Sequence, residues 1–333
     1  MADISVIACH HAGDLVAYYD RSIYKSLCVH FESIIITSEN SGLKDVRSKV
    51  VESIDPMPAG KRNLGVALAH GDYLAFFDDD VVVDKMCLYE MKKYLDTHPD
   101  VGMVYCKLLN MEHRDRFDEA GSYLTWTGFL YSRAAQHIKD EGQFDHDTPI
   151  LAGKSAGCMV RSEVFYEAGR FDDDFGILGE ETDLSWRIWL KGHRVMFVPT
   201  AFAYHAFNTK YKPRDKYYTD TRVYYNGCRN YITLLLKNLG ARNLWKILPI
   251  HVLIWVGASF AMLATLRIGA AFRIWCGMWY VLRNLKVILS KRQEIQEGRV
   301  GSDRDIWPFI LGKPPRGYYA QRFFKYISSR IHG

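Results

Sequence analysis

The sequence predicts an α/β fold, in which helices flank a mostly parallel central sheet, followed by membrane-associated helices. Three observations predict it. Strand-like and helix-like segments alternate through the first part of the chain, long apolar runs follow residue 245, and charge divides unevenly between the two parts. Alternating strand and helix signals are typical of a parallel sheet whose faces are covered by helices. A chain of 333 residues is long enough for one large or two modest domains.

Four short apolar segments predict buried strands. They are ISVIAC at 4–9, SIIIT at 33–37, YLAFF at 73–77 and RVMFV at 194–198. Their nearly continuous apolar character is expected of strands that are covered on both faces. Two amphipathic segments, Asp84 to Leu95 and Thr182 to Lys191, predict helices, and Gly192 ends the second. Ligands of such sheets gather at the carboxyl ends of the strands, so we expect the site there.

The charge of the chain changes sign along its length. Residues 1–206 hold 21 Lys and Arg against 32 Asp and Glu, a net −11, whereas residues 207–333 hold 22 against 6, a net +16. An acidic body with a basic second part indicates that the second part faces something anionic, either nucleic acid or membrane phosphates.

Apolar content favours the membrane over nucleic acid. Residues 247–266 carry no formal charge, and in the second run, residues 268–282, only Arg273 is charged. About twenty apolar residues match the helical length that crosses a hydrocarbon core. Tryptophans and basic residues beside such runs are typical of an anionic membrane surface. The alternative is a buried core helix, which we disfavour because no other part of the chain needs a helix that is apolar all round.

The cysteines and the first residues indicate the compartment. Seven cysteines are scattered without a C-x-x-C pair, which argues against a zinc cluster or a secreted disulfide scaffold and favours the reducing cytosol. The opening MADISVIACHH has no basic stretch followed by an apolar run, so no signal peptide is predicted.

Three consecutive aspartates directly follow the strand YLAFF. Residues i and i+2 of an extended segment point the same way, so Asp78 and Asp80 can converge while Asp79 faces elsewhere. Carboxylate oxygens suit Mg²⁺ or Mn²⁺, which commonly bridge protein carboxylates to substrate phosphates. A solvated acidic turn before the helix at Asp84 is the alternative, and the motif alone does not separate the two.

A second acidic cluster lies at the front of the later helix. Glu180, Glu181 and Asp183 begin it, and the same block ends in His205 just past a strand. The helix dipole keeps such carboxylates ionised, as a general base must be. Interactions with the helix dipole and helix capping alone would explain an acid at position 183. They do not explain a histidine at position 205, which could join the aspartates around a metal.

In this order, ISVIACHH, SIIITSENS, GKRNLGVALAHGDYLAFFDDDV and the block from GCMVRS to FAYH resemble an inverting glycosyltransferase of family two with the A-type fold. Such enzymes use nucleotide-diphosphate sugars. The resemblance covers about residues 4–206. Its most specific part is the GEETDLSWR…G…P…H block at its distance after the aspartates, whereas the aspartate triplet is a weak motif.

The resemblance implies roles for the metal and catalytic residues. In that family the Asp-x-Asp carboxylates hold the Mn²⁺ or Mg²⁺ that neutralises the donor diphosphate, and Asp78 and Asp80 match them. His205 completes the predicted metal site. The second acid of the family's Glu-Asp-x-Asp block deprotonates the acceptor hydroxyl, and Glu181 occupies its position. Because Glu181 has a longer side chain than the family's aspartate, Asp183 remains the alternative residue nearest the reacting oxygen.

The donor pocket departs from the family pattern. The first strand usually ends in Pro-Thr-x-Asn and the second in an Asp-rich turn that holds the nucleobase, but here they end in Cys-His-His and Ser-Glu-Asn. Asp118 and Glu119 either line the sugar pocket or cap a turn. The predicted donor-binding residues are Glu39, Arg62, Asn63, Asp79, Cys9 and His10, and the predicted acceptor-binding residues are Glu180, Trp186 and Arg187.

The resulting functional hypothesis is a metal-dependent, inverting hexosyl or deoxyhexosyl transfer. The donor is a nucleotide sugar, and the acceptor is a glycan or polyprenyl-linked glycan at the cytoplasmic membrane face. A sugar-phosphate nucleotidyltransferase is one alternative, but it needs a glycine-rich basic loop that ISVIACHHAGDL lacks. The other is a non-catalytic membrane scaffold, which would bind no nucleotide diphosphate.

Four domains are predicted. They are a catalytic domain at 1–206, a connecting helical segment at 207–244, a membrane-inserted or interfacial helical pair at 245–288 and a basic tail at 289–333. Donor sugars are made in the cytosol, and residues 291–333 hold nine Lys and Arg against four acids. The positive-inside rule disfavours exporting such a tail, so the helical pair is predicted to enter the cytoplasmic leaflet and return.

Overall fold

The computed structural model describes residues 2–10, 15–38, 43, 46–134, 138–206, 221–315 and 317–318. The chain divides into two compact units, which are described separately. The first takes in Met1–Tyr123, Ser132–Asp215 and Gly298–Ile310, and the second Leu124–Tyr131, Lys216–Glu297 and Leu311–Gly333. The four-domain division predicted from the sequence stays a prediction.

The strands in chain order are β1 (Ile4–Cys9), β2 (Phe31–Ser38), β3 (Lys49–Ser53), β4 (Tyr73–Asp78), β5 (Val81–Val83), β6 (Val101–Asn110), β7 (Phe117–Glu119), β8 (Ser122–Leu124), β9 (Leu130–Ser132), β10 (Thr148–Pro149), β11 (Gly157–Arg161) and β12 (Arg194–His205). The helices are α1 (Val16–Ile23), α2 (Pro58–Ala67), α3 (Cys87–Thr97), α4 (Ser162–Glu167), α5 (Glu180–Leu190), α6 (Arg222–Asn238), α7 (Ala241–Ala264), α8 (Ile268–Arg283), α9 (Leu285–Glu297) and α10 (Asp303–Ile310).

The first unit is built on one mixed sheet in the order β10-β12-β6-β11-β4-β1-β2-β3, with β5 on β12 and β7 on β6. The predicted α/β class with a central sheet and flanking helices is confirmed. All four strands predicted from the sequence lie in this sheet. The sequence did not predict β11, which runs antiparallel between β4 and β6. Since β4 and β6 are both antiparallel to β11, they run in the same direction as each other.

Strand register determines what meets at the carboxyl edge of the sheet. Cys9 at the end of β1 is paired with Asp78 at the end of β4. On the other side, β12 shifts register against β6 between Val198 and Phe202, and its last residue, His205, is paired with Val81 of β5. A bulge of this kind re-aims a strand. The ends of β1, β4 and β12 therefore converge on the aspartate triplet.

The second unit contains α6 to α9, which pack around a cluster of apolar side chains. One helix, α7, has the length and composition to cross a membrane, with 24 residues and a mean hydropathy of 2.0 over its most apolar window. Its buried side chains recur about one turn apart, and they are Ile247, His251, Trp255, Ser259 and Met262. The opposite side of α7 is exposed, so this helix is not a core helix buried all round.

Candidate active site

Asp78, Asp80 and His205 form a compact group of potential metal ligands. Each offers one ligand atom, and these atoms lie within 4.8 Å of one another. Asp80 and His205 are buried, whereas the side chain of Asp78 is 27% exposed. Two carboxylates and one imidazole are a donor set that suits a divalent cation such as Mn²⁺. The structure thus brings together the three residues predicted from the sequence, and their metal-binding role stays a prediction.

His205 is held between two carboxylates. Its Nε2 lies 3.2 Å from Oδ1 of Asp80, and its Nδ1 lies 2.7 Å from Oδ2 of Asp118. Burial lowers the pKa of His205, but the charges of Asp80 and Asp118 outweigh burial and raise this pKa to about 9. The Nζ of Lys154 donates to both oxygens of Asp118 at 2.7 Å. Burial raises the pKa of Asp118, yet the charges of Lys154 and His205 bring it down to about 2.

The guanidinium of Arg62 connects the two acidic clusters. It donates from Nη2 to Oδ1 of Asp78 at 3.0 Å and from Nη1 to Oε1 of Glu180 at 2.8 Å. Arg62 is only 2% exposed, and it lies on α2 over the ring of Phe171. The buried guanidinium of Arg62 therefore forms one ion pair with the candidate metal site and another with the front of α5. Its two anionic partners belong to the protein, so contact with the donor stays a prediction.

Glu181 lies in the first turn of α5, which begins after Gly179. That glycine has φ of +89°, a left-handed conformation that favours glycine, and it sets the direction in which the helix starts. Burial, and then the neighbouring carboxylate of Glu180, raise the pKa of Glu181 well above its usual range. The sequence led us to expect a carboxylate that the helix dipole keeps ionised. Burial and a like charge outweigh the dipole here, and a raised pKa suits a general base near neutral pH.

The remaining predicted residues of α5 face the core. Asp183 is fully buried, and its carboxylate accepts a hydrogen bond of 2.9 Å from Nε of Arg187. Arg187 also donates to the carbonyls of Ala168 and Arg170. Trp186 has no exposed surface. Acceptor binding by Trp186 and Arg187, and a catalytic role for Asp183, stay predictions that this packing does not support.

The ends of β1 and β2 are tied together by side chains that the sequence placed near the donor. Nδ1 of His10 lies 2.7 Å from Oδ2 of Asp79, and both residues are buried. The Nζ of Lys61 donates to the carbonyl of His10 at 2.9 Å and to Oγ of Ser38 at 3.0 Å. Lys61 is fully buried and is thus a connection between the two strand ends.

Three other donor-binding predictions have different surroundings. Cys9 is fully buried, and burial raises the pKa of its thiol to about 12. The amide of Asn63 donates to the carbonyl of Phe171 and to Asp173, so it holds the loop that precedes α5. Glu39 lies outside the described residues. A donor role for these three residues remains a prediction.

Sequence analysis did not find how Asp118 and Lys154 relate to the metal group. From the sequence, Asp118 either lines the sugar pocket or caps a turn. Its contact with His205 joins residues 87 positions apart, and Lys154 lies 36 positions from Asp118. No local pattern reports such a pairing, because it arises from the neighbourhood of β7, β6 and β12 in the sheet.

The chain is similar to known glycosyltransferases in sequence and in fold. The sequence profile of the family described as Glycosyl transferase family group 2 matches residues 73–287. The O-antigen biosynthesis protein RfbC of Myxococcus xanthus is 29% identical over 185 residues, which cover 50% of this chain and 14% of RfbC. The chain spans less than a third of the length of the curated relatives it matches.

Two solved structures have the same fold. GalNAc-T7, crystallised with UDP, GalNAc and Mn²⁺, superposes with a TM-score of 0.56 at 15% identity, covering 71% of this chain and 48% of that one. The mannosyltransferase PcManGT of Pyrobaculum calidifontis, in complex with GDP-Man and Mn²⁺, superposes with a TM-score of 0.51 at 14% identity, covering 89% and 86%. These likenesses confirm the A-type fold.

Proposed function

The chain belongs to glycosyl transferase family group 2, and from this membership we propose an inverting transfer of a sugar from a nucleotide-diphosphate donor to a hydroxyl of a glycan or lipid-linked glycan. One observation carries the proposal beyond the family. The buried Arg62 binds Asp78 on one side and Glu180 on the other, at 3.0 and 2.8 Å. The candidate metal group and the candidate base therefore lie at one edge of the sheet, where a donor and an acceptor could meet.

Asp78, Asp80 and His205 are proposed to hold Mn²⁺ or Mg²⁺. Two carboxylates and an imidazole within 4.8 Å fit such a cation, and the GalNAc-T7 and PcManGT structures contain Mn²⁺. A divalent cation bound there would neutralise negative charge that develops on the leaving nucleotide diphosphate. Arg62 stabilises the arrangement by keeping Asp78 beside α5.

Glu181 is the proposed general base. Its raised pKa makes it a stronger proton acceptor than an ordinary glutamate, and the positive N-terminus of α5 stabilises its charged form. Its carboxylate would accept the proton of the acceptor hydroxyl while that oxygen attacks the anomeric carbon. Attack from the face opposite the leaving group inverts the configuration in one displacement, so no covalent intermediate is needed. Glu180 is the weaker candidate for this role because its Oε1 accepts a hydrogen bond from the buried Arg62.

Features of the second unit favour an acceptor that lies at a membrane. We propose the cytoplasmic face of that membrane, because nucleotide sugars are made in the cytosol. Large apolar side chains on α7 and α8 are exposed, among them Leu253 at 67%, Phe260 at 60% and Trp279 at 65%. Arg273 is exposed on α8 beside Phe272. A charge on this face is costly in a hydrocarbon core but tolerated where the side chain reaches the headgroups. This favours a pair of helices inserted shallowly.

A donor screen tests the proposal. Purified protein is incubated with Mn²⁺, a lipid extract and each common nucleotide sugar, and the released nucleotide diphosphate is measured. We expect release with one donor or a small group of them. Pyrophosphate release from a nucleoside triphosphate would indicate the nucleotidyltransferase instead. Absence of both reactions, together with absence of Mn²⁺-dependent binding of UDP, GDP and dTDP, would indicate the scaffold.

Asp80→Asn tests the metal group in the same assay. We expect a sharp loss of Mn²⁺-dependent donor binding, because the substitution removes one charged ligand while preserving its shape. Asp84→Asn is the matched control, since Asp84 lies four residues further along the chain, after β5, and its carboxylate accepts a hydrogen bond from the backbone nitrogen of Met86 just before α3. Unchanged Mn²⁺-dependent binding in Asp80→Asn would contradict the assignment. His205→Ala should weaken metal affinity less, because the carboxylates remain.

A further inference from the structure

We infer that Asp118 and Lys154 are positioning residues for the metal group, in that they fix the ring of His205 so that Nε2 is directed at the cation. Neither residue is itself a ligand in this inference, and it rests on the proposed function. The inference adds two supporting residues behind the metal site, and the sequence did not predict either of them as part of that site.

The contacts of His205 determine which nitrogen is available. Nδ1 lies 2.7 Å from Oδ2 of Asp118, and Nε2 lies 3.2 Å from Oδ1 of Asp80. A carboxylate can only accept a hydrogen bond, so each contact requires a proton on the ring nitrogen that makes it. Nε2 faces Asp80, which belongs to the candidate metal group, whereas Nδ1 faces Asp118, which does not. A cation in the group would therefore replace the proton on Nε2 and leave Nδ1 donating to Asp118. Asp118 is 1% exposed and His205 is 4% exposed, so water does not compete for either contact.

Lys154 fixes Asp118 in turn. Its Nζ donates to both carboxylate oxygens at 2.7 Å. A buried carboxylate with a single partner could rotate, whereas one that is bound through both oxygens is held in one plane. The ammonium also compensates the buried charge, which would otherwise be costly. Lys154 lies in the segment before β11 and is partly exposed, so its ammonium retains contact with solvent.

The sheet places Asp118 independently of these side chains. It lies on β7, which pairs with β6 through Leu108 and Leu109, and β6 pairs with β12 up to His205. Metal-binding histidines generally donate their second ring nitrogen to a carboxylate or carbonyl, and removal of that partner typically weakens metal affinity 10–100-fold. The arrangement Lys154, Asp118, His205 has the geometry of such a support.

A second lysine and aspartate pair in the same unit gives a matched control. Nζ of Lys107 lies 2.8 Å from Oδ2 of Asp140, so this pair has similar chemistry and length. The carboxylate of Asp140 binds Lys107 and the backbone nitrogen of Gly142, and neither of these residues is a candidate ligand. A loss of metal affinity that came only from general weakening of the unit should therefore appear in Asp140→Asn as well as in Asp118→Asn.

The test is Mn²⁺ binding by the full chain, without a sugar donor. Free Mn²⁺ measured by electron paramagnetic resonance gives the dissociation constant, and the pulsed form detects coupling to the nitrogen of a coordinated imidazole. We expect that Asp118→Asn weakens Mn²⁺ binding about 10–100-fold and reduces the nitrogen coupling. Asp140→Asn should change neither quantity, and His205→Gln should abolish the coupling.

Lys154 offers a second route if Asp118→Asn fails to fold. Lys154→Met should weaken Mn²⁺ binding, and Lys154→Arg, which keeps two donors, should largely restore it. Wild-type affinity and coupling in Asp118→Asn would overturn the inference while leaving the proposed function intact. So would Mn²⁺ binding by the wild type without nitrogen coupling. Absence of any Mn²⁺ binding by the wild type would overturn both the inference and the proposed metal group.

Discussion

The three acids at the front of α5 differ in their partners, and their partners separate their roles. Glu180 binds Arg62, Asp183 binds Arg187, and Glu181 carries a raised pKa. Of the three, Glu181 alone is partly exposed, and its carboxylate binds a proton more tightly than an ordinary glutamate does. Asp183 therefore has a structural role, Glu180 connects α5 to Arg62, and Glu181 has the proposed catalytic role.

The first prediction concerns Glu181→Gln. The substitution removes the proton acceptor but keeps the shape of the side chain, so turnover should fall by about 10²-fold or more. Donor affinity should stay close to that of the wild type, because the proposed donor contacts lie elsewhere. Turnover by donor consumption and donor binding by calorimetry measure the two quantities.

Asp183→Asn is the control for this prediction. It breaks a buried ion pair and leaves Arg187 uncompensated, which typically costs about 3–5 kcal/mol of unfolding free energy. We therefore expect a loss of stability in urea rather than a selective loss of turnover. If Glu181→Gln stays active while a folded Asp183→Asn is inactive, the two roles must be exchanged.

The second prediction follows from the raised pKa of Glu181. The acid limb of the pH profile of kcat/KM should have its midpoint above the ordinary value of 4.5, because the base works only when deprotonated. The folded state binds this proton more tightly than the unfolded chain. Between the ordinary and the raised pKa, the free energy of unfolding therefore falls as pH rises.

Stability measurements check the sign. At pH 4 and without metal or donor, the wild type and Glu181→Gln should melt at similar temperatures. As the pH rises through the raised pKa of Glu181, the wild type gains a buried charge, and its melting temperature should fall relative to that of Glu181→Gln. A difference that is the same at every pH would show that burial of this carboxylate does not shift its pKa.

At the scale of elements, close packing of α8 on α6 fixes the second unit. A Cβ added at Gly277 of α8 would lie 2.9 Å from the carbonyl oxygen of Tyr225 and 3.2 Å from the backbone nitrogen of Arg229. Both atoms belong to the backbone of α6. They cannot move aside as a flexible side chain would, so glycine at this position allows the two helices to approach.

The third prediction is that Gly277→Ala destabilises the second unit by about 1–3 kcal/mol, the usual cost of overpacking. Gly257→Ala in α7 is the control, because a Cβ there meets no atom within 4 Å. Its higher helix propensity should leave stability unchanged or raise it by up to about 1 kcal/mol. Thermal unfolding in detergent, followed by circular dichroism, compares the two. Equal effects would contradict close packing at Gly277.

At the scale of the whole molecule, the question is whether the chain crosses the membrane. A single crossing by α7 would place the exposed Lys313 on the side of the membrane opposite the exposed Cys28 of the first unit. A pair of helices that enters the leaflet and returns would leave both on the cytoplasmic side. The positive charge of the last part of the chain favours the second arrangement.

The fourth prediction is therefore that Lys313→Cys, in a chain whose Cys28 is replaced by serine, reacts with an impermeant thiol reagent on intact inside-out vesicles. Native Cys28 in the otherwise unchanged chain is the positive control for the cytoplasmic side. Labelling of position 313 only from the opposite face would show a single span. Release of the protein by high salt alone would show that the apolar runs do not insert.

The sequence by itself determined four strands of the central sheet, the helices that match α3 and α5, and the chemical classes of the candidate site residues. Apolar runs such as 73–77 and 194–198 identify strands, because a strand covered on both faces needs apolar residues throughout. Acids that directly follow a strand or begin a helix indicate the candidate metal and base groups, because their positions can be read from neighbouring residues alone. The A-type fold and the family followed from the order of these motifs.

Only the tertiary structure decided which of these residues act together. The connection between Asp78 and Glu180 runs through Arg62, 118 positions from Glu180, and the contact between Asp118 and His205 also spans distant parts of the chain. The raised pKa of Glu181 depends on burial and on the charge beside it, and Asp183 is removed from solvent by packing. Burial and charge proximity arise from strands and helices meeting in space, and no local pattern of residues contains them.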